Sequence, residues 1–173
     1  MEFTFETTYN QKALTAMAKG LRKTVRQKRS RRSHIFGWAV VILSILLMCG
    51  TEGGMTFSFR SVVTWIAIIA IAAVTVFEDA LNGFIAGKRM LRGTVQSTAV
   101  FQEDGYQTVT EVGKSGWIYS TVQAVAETKD YFVLAFSANH AQVYDKSSIG
   151  GGTVEEFCGF IAEKTGKAVQ RIK

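Results

Sequence analysis

The side chains that most often carry out catalysis or bind metals are few in this chain. Its 173 residues include two histidines, His34 and His140, and two cysteines, Cys49 and Cys158. His34 borders an apolar segment and His140 falls in a strand or turn, so the two do not suggest a metal pair. Neither cysteine belongs to a C-x-x-C motif, which favours free thiols in a reducing compartment. We therefore expect neither a metal site nor a cofactor.

Sequence motifs typical of enzymes are also missing. The chain contains no G-x-S-x-G, H-E-x-x-H or G-x-x-x-x-G-K-[ST] pattern. The run Gly150-Gly151-Gly152 lacks the lysine of a phosphate-binding loop and is interpreted as a hinge before a helix. Glu103 and Asp104 are adjacent carboxylates, but their place in a turn favours simple solvation. The sequence therefore predicts no catalytic residues and a non-enzymatic protein.

Two segments without charged residues set the architecture. No Lys, Arg, Asp or Glu occurs from Ser33 to Thr51 or from Ser61 to Phe77. Both approach the roughly 20 residues that a helix needs to cross a bilayer. Residues 66–74 leave no polar face, and the rest of the chain is too small to cover two such helices. A cleaved signal peptide fits poorly, because a second apolar segment follows the first. We predict spans at about 34–51 and 61–78.

The distribution of positive charge predicts the orientation of these spans. Net charge is +6, and eight of the 20 Lys and Arg lie between Lys19 and Arg32. Lys88, Arg89 and Arg92 follow the second span, whereas the connector between the spans is nearly free of positive charge. Because Lys and Arg near span ends stay on the cytoplasmic side, we expect a multi-pass membrane protein with both termini in the cytoplasm. The short external turn would use Gly50, Gly53 and Gly54.

The basic segment is predicted to lie on the membrane surface. Residues 10–32 read as one helix, with Leu14, Met17, Leu21 and Val25 on one face. A basic amphipathic helix beside a span is suited to anionic headgroups. The predicted contacts are Lys19, Arg22, Lys23, Arg26, Lys28, Arg29, Arg31 and Arg32. Nucleic acid is the disfavoured alternative partner, because no aromatic residue interrupts the run to stack on bases.

Two acidic residues directly follow the second span. Glu78 and Asp79 are read first as interfacial charges that end the span. The alternative is an ion pair with the basic helix.

The remaining sequence predicts a β-rich domain. Period-two patterns indicate the strands 94–101, 106–112, 117–126, 131–136 and 140–144. Residues 113–116 are interpreted as a turn. A strand at Phe3 and Phe5 is expected to pair with this domain, since an isolated strand does not persist. Thr153 and Glu156 form a capping-box pattern for a C-terminal helix that ends at Gly166.

An aromatic group in this domain has two interpretations. Trp117, Tyr119 and Tyr131 are read first as core. The alternative is a partner surface, since exposed strand edges accept an added strand.

The order of these elements is that of a pleckstrin-homology-like barrel capped by a helix. The chain resembles the YcxB-like family of bacterial membrane proteins through "EFTFETTY", the basic helix, the two-span hairpin, "VFQEDGYQ", "GWIYSTVQAVAETKDYFVLAFS" and "TVEEFCGFI". The resemblance covers nearly the whole chain and implies a pleckstrin-homology-like cytosolic domain on a membrane hairpin, with no well-established activity. Asp145-Lys146 departs from the family's usual "PK".

These expectations combine into one hypothesis. The fold is an α+β membrane protein made of a strand and basic helix (residues 1–33), a transmembrane hairpin with a cytoplasmic extension (residues 34–92) and a barrel capped by a helix (residues 93–173). The function is a membrane-anchored interaction module for an unidentified protein or lipid headgroups. The alternative is an accessory or sensor subunit of a transporter or secretion complex. Neighbouring genes for such a complex would favour that alternative.

Overall fold

The computed structural model describes residues 2–49 and 59–172 and has an α+β fold. Five helices and two four-stranded sheets lie in this part of the chain. The strands are β1 (Phe3–Thr8), β2 (Gln96–Phe101), β3 (Tyr106–Thr110), β4 (Gly113–Trp117), β5 (Ala124–Glu127), β6 (Tyr131–Ser137), β7 (His140–Asp145) and β8 (Val169–Arg171). The helices are α1 (Gln11–Lys23), α2 (Gln27–Cys49), α3 (Phe59–Val76), α4 (Glu78–Arg89) and α5 (Val154–Thr165).

The chain divides into two compact units. The first contains Met1–Gln27 and Asp79–Lys173, and the second contains Lys28–Glu78. The predicted turn at Gly50, Gly53 and Gly54 lies outside the described residues.

The first unit contains both sheets. One is antiparallel with the order β1-β2-β3-β4, and the other has the order β7-β6-β5-β8 with β8 parallel to β5. The predicted pairing of the N-terminal strand is confirmed, because Phe3 lies opposite Phe101 and Phe5 opposite Ala99. Thr4 also exchanges two backbone hydrogen bonds with Gly150, at 3.0 and 2.9 Å. The N-terminal strand is therefore held by residues far along the chain.

Helix α5 covers a core rich in aromatic rings. Phe157 of α5 packs on Phe5 with the ring centroids 4.7 Å apart, and on Phe101 and Phe132 at 5.1 and 4.9 Å. The predicted capping box is confirmed, since Thr153 Oγ1 accepts from the Glu156 backbone N–H and the Glu156 carboxylate accepts from that of Thr153. The helix is followed by a left-handed glycine at the predicted residue 166.

The observed strands differ from the sequence-based prediction in three places. Residues 113–116, predicted as a turn, form the edge strand β4. Its sequence lacks apolar alternation because its side chains are mostly exposed, and its ladder to β3 is made by the backbone. The single strand predicted over 117–126 is divided by a 3-10 turn at Tyr119–Thr121. Strand β8 was not predicted, because only three residues form it.

The single helix predicted over residues 10–32 is also wrong, because α1 ends at Lys23 and α2 begins at Gln27. The Thr24 hydroxyl donates to the Gly20 carbonyl oxygen at 2.7 Å, and the Thr24 backbone leaves the helical region. Such side-chain bonds to the preceding turn compete with regular helix. Arg26 is then held by the β6–β7 turn, where its guanidinium donates to the Ala138 carbonyl oxygen and to Asn139 Oδ1.

The second unit is an antiparallel pair of helices. Gly37 of α2 faces Thr75 of α3, and His34 contacts Glu78 just beyond α3. A Cβ at position 37 would lie 2.9 Å from Thr75 Oγ1, so glycine permits the close approach. Within the described residues, α2 alone is long and apolar enough by itself to cross a membrane. Helix α3 meets that test only when counted together with α4 as one interrupted span.

Candidate functional site

The eight cations predicted to contact headgroups fall into two groups, those bound to other residues of the protein and those that are exposed or half-buried. Arg22 and Arg26 are engaged within the first unit: Arg22 pairs with Asp79, and Arg26 binds the β6–β7 turn. Both guanidinium groups are therefore engaged inside the protein, and the contact of these side chains with headgroups stays a prediction. Five of the remaining six are exposed, and Lys19 is half-buried. The exposed cations are Lys23, Lys28, Arg29, Arg31 and Arg32.

The acidic pair after the second apolar segment forms specific contacts. Arg22 Nε and Nη2 donate to the two oxygens of Asp79, each at 2.6 Å, in a bidentate ion pair. Glu78 Oε2 lies 2.6 Å from His34 Nε2 and accepts from Ser30 Oγ at 3.2 Å. The interpretation as charges that merely end a span is thus replaced by the ion-pair alternative for Asp79.

The three aromatic residues offered as a partner surface do not share one environment. Tyr119 and Tyr131 are buried, and the Tyr119 hydroxyl donates to the Gln102 carbonyl oxygen at 2.6 Å. Burial raises the pKa of both tyrosines. These two side chains belong to the core, as the first interpretation predicted, and the alternative of an exposed partner surface does not hold for them. Trp117 is half-buried and lines an open cleft.

Trp117 is fixed at the wall of this cleft. Its indole N–H donates to Thr108 Oγ1 at 3.2 Å, and its ring packs on Phe136 and His140 with centroids 4.8 and 5.3 Å away. It ends β4, whose outer edge has no neighbouring strand within the described sheets. An anchored aromatic ring beside a free strand edge is a typical recognition surface.

The cleft itself has a volume of about 1090 Å³ and lies entirely within the first unit. Helices α1 and α4 form one wall with mainly apolar side chains. Strands of both sheets form the other wall with hydroxyl, amide and aromatic groups. Residues from the helical side include Met17, Ala18, Ile85, Ala86 and Arg89, and residues from the sheet side include Ser97, Thr108, Thr110, Ser115, Trp117 and Gln142.

Two glycines position the helical wall. A Cβ at Gly20 of α1 would lie 2.8 Å from Val133 Cγ1 of β6, and one at Gly83 of α4 would lie 2.8 Å from the Thr15 backbone nitrogen. These helices therefore approach the sheet and each other more closely than a larger residue permits. Gln11 Nε2 also donates to the Ala80 carbonyl oxygen at 3.0 Å. Sequence reasoning proposed only Trp117 as a partner surface at this site and missed the helical wall, although glycine inside a helix was the available clue.

A buried hydrogen-bond network lies behind the sheet wall. Gln142 Oε1 accepts from the hydroxyls of Tyr106 and Tyr144, at 2.7 and 2.5 Å. Burial raises the pKa of both tyrosines, so both remain neutral donors near pH 7. The network fixes the Gln142 amide at the cleft wall.

The described residues give little support for a metal site or for a nucleophilic cysteine. No group of three or more His, Cys, Asp or Glu is placed to hold a metal ion there. Burial raises the pKa of the Cys158 thiol, which disfavours the reactive thiolate. No family model, curated protein or solved structure matches this chain. The cleft is the candidate site, because its lining combines apolar side chains with hydroxyl and amide groups that suit binding.

Proposed function

We propose that the protein is a non-enzymatic, membrane-anchored interaction module of YcxB-like type. In this proposal α2 and α3 form a two-span transmembrane hairpin, and the first unit is a pleckstrin-homology-like cytosolic domain. The open cleft beside Trp117 is the observation that carries the interaction role. Its partner is a protein or a lipid headgroup.

Exposed apolar side chains support the membrane anchor. Phe36 and Leu46 of α2 are 72% and 62% exposed, and Ile69 of α3 is 63% exposed. Apolar patches of this extent mark surfaces that another phase or protein covers. Ser30, Val41 and Ile68, by contrast, are buried within the unit. A helix pair with apolar side chains facing outward is suited to hydrocarbon.

The remaining exposed cations support the orientation. Lys28, Arg29, Arg31 and Arg32 lie in the first turns of α2, where the apolar segment begins. Each cation near an anionic leaflet contributes about 1 kcal/mol of attraction. A cell-membrane location with both termini in the cytoplasm follows from this bias.

The arrangement of sheets supports a pleckstrin-homology-like domain. Two four-stranded sheets surround one aromatic core, and α5 covers that core. Residues between β1 and β2 carry all the helices except α5. The hairpin is thus an insertion within the first β-β connection of the domain.

The topology is tested with reporter fusions after residue 173 and within Gly53-Gly54. We expect a reporter that works only in the cytoplasm to be active after residue 173 and inactive within Gly53-Gly54. The physical reason is that translocating the cations beside α2 is disfavoured. An active cytoplasmic reporter at the internal site would refute the two-span hairpin.

The interaction role is tested by site-specific photo-crosslinking in native membranes. A photoreactive residue at Ser115, which is exposed in the cleft, is expected to give a discrete adduct, whereas the same residue at the exposed position Lys167 is not. Mass spectrometry then identifies the adduct as protein or lipid. A protein adduct from Leu46 of the hairpin, with none from Ser115, would instead favour the accessory-subunit alternative. Equal labelling at Ser115 and Lys167 would contradict a specific cleft partner.

A further inference from the structure

The two walls of the cleft differ in polarity. Met17, Ala18, Ile85, Ala86 and Met90 present carbon and sulfur from the helical side. The sheet side presents hydroxyl groups and an aromatic ring, from Ser97, Thr110, Ser115 and Trp117. A ligand that fills this space therefore needs one apolar flank and one polar end.

The charged residues that line the cleft all have the same sign. None of its lining residues is Asp or Glu, whereas Arg89, Lys114 and Arg26 are cationic. Arg26 is bound to the β6–β7 turn, whereas Arg89 and Lys114 are exposed at the lining of the cleft. Two cations without an acidic neighbour in the lining favour an anion.

The volume indicates the size of the ligand. About 1090 Å³ is slightly more than the roughly 300–1,000 Å³ that small-molecule pockets occupy. An extended chain that fills such a space can contact the apolar wall along its length, while a headgroup reaches the cations.

We infer that the cleft binds a single-chain anionic amphiphile, with its hydrocarbon chain along α1 and α4 and its carboxylate or phosphate near Arg89 and Lys114. The inference deepens the proposed function, because a membrane anchor places the cleft near a supply of such molecules. The shared chemistry is one acyl chain and one anionic group. A free fatty acid and a lysophospholipid are its two sources.

The test uses the full chain in phosphatidylcholine nanodiscs, with Trp38→Phe and Trp65→Phe. The chain contains three tryptophans, so Trp117 becomes the reporter. We expect 12-bromododecanoate to quench Trp117 fluorescence saturably, and about tenfold more tightly than the neutral 12-bromododecan-1-ol. The affinity of a bromine-labelled lysophosphatidylglycerol, measured by the same quenching, is compared with that of the bromocarboxylate. The tighter of the two shows whether a lysophospholipid or a free fatty acid binds better.

Three variants separate binding in the cleft from partitioning into the bilayer. Arg89→Gln with Lys114→Gln is expected to weaken the bromocarboxylate about tenfold and leave the alcohol unchanged. Lys129→Gln with Lys167→Gln is the matched charge control, and both probes should bind it as before. Ala86→Phe fills the apolar wall and should abolish saturable quenching by both probes. Ala18→Phe replaces it if the emission spectrum of Trp117 shows that Ala86→Phe misfolds.

Equal affinity for the carboxylate and the alcohol would overturn the inference, as would quenching that persists in a folded cleft-filling variant. Specific binding of an acidic peptide, without saturable quenching by either bromine-labelled probe, would also overturn it. In these cases a protein adduct from the photoreactive residue at Ser115 would leave the proposed interaction role intact. Absence of both quenching and adduct would refute the two together.

Discussion

Replacing Phe5 by alanine is expected to lower the free energy of unfolding of the first unit by about 3–5 kcal/mol. Phe5 is fully buried, and its ring lies 5.6 Å from Phe101, 6.2 Å from Phe132 and 4.7 Å from Phe157, measured between centroids. Its removal opens a cavity shared by both sheets and α5. Because domains are stable by only about 5–15 kcal/mol, this change is large.

The measurement is urea unfolding of the full chain in nanodiscs, followed by Trp117 fluorescence in the Trp38→Phe, Trp65→Phe background. Trp117 reports on the first unit because it packs on Phe136 of β6. Thr8→Ala is the matched control, since Thr8 lies in the same strand with an exposed side chain. We expect its midpoint to be nearly unchanged. A Phe5→Ala midpoint equal to that of Thr8→Ala would show that β1 is not part of the cooperative core.

Elements with strong local patterns were predictable from the sequence. Phe3 and Phe5 alternate with polar residues, which marks one buried face, and pairing at long range follows because that face needs a partner. The helix α5 begins and ends with recognisable capping residues. In both cases the physical cause lies within a few neighbouring residues.

Elements determined by tertiary contacts were not predictable. Strand β4 is polar and glycine-rich, and its conformation follows from pairing with β3. The break after Lys23 has a local contribution from Thr24, but the segment that follows is also held by the β6–β7 turn, which binds Arg26 from more than 100 residues away in sequence. A local pattern cannot reveal such a partner, so the basic residues read as one continuous helix.

The candidate site was predicted only through Trp117. The apolar face of α1 was recognised, but Leu21 packs near Ala124 and Ala135 of the second sheet. Part of the remaining face lines the cleft, because α4 covers α1 through Gly83. The site thus depends on the close packing of α1, α4 and β6, which are distant in sequence.

The ion pair between Arg22 and Asp79 is expected to hold α4 on α1. Both side chains are mostly buried, at 21% and 17% exposure, and two parallel hydrogen bonds join them. Asp79→Asn removes the negative charge from this bidentate pair, which costs about 1–3 kcal/mol in the local opening of α4. Amide hydrogen exchange of the α4 backbone should therefore accelerate about tenfold or more, while that of α5 stays the same.

The comparison of Arg22 variants separates charge from geometry. Arg22→Lys keeps the positive charge but loses the bidentate fork, so we expect a partial acceleration of exchange in α4. Lys23→Gln removes a neighbouring exposed charge and is the control, for which no acceleration is expected. In a double-mutant cycle, Arg22→Gln with Asp79→Asn should open α4 less than the two single changes added together.

Because Ala86 and Arg89 of α4 line the cleft, the same variants should weaken binding of 12-bromododecanoate. Unchanged α4 exchange in both Asp79→Asn and Arg22→Gln would show instead that the close packing at Gly83 alone positions the helical wall.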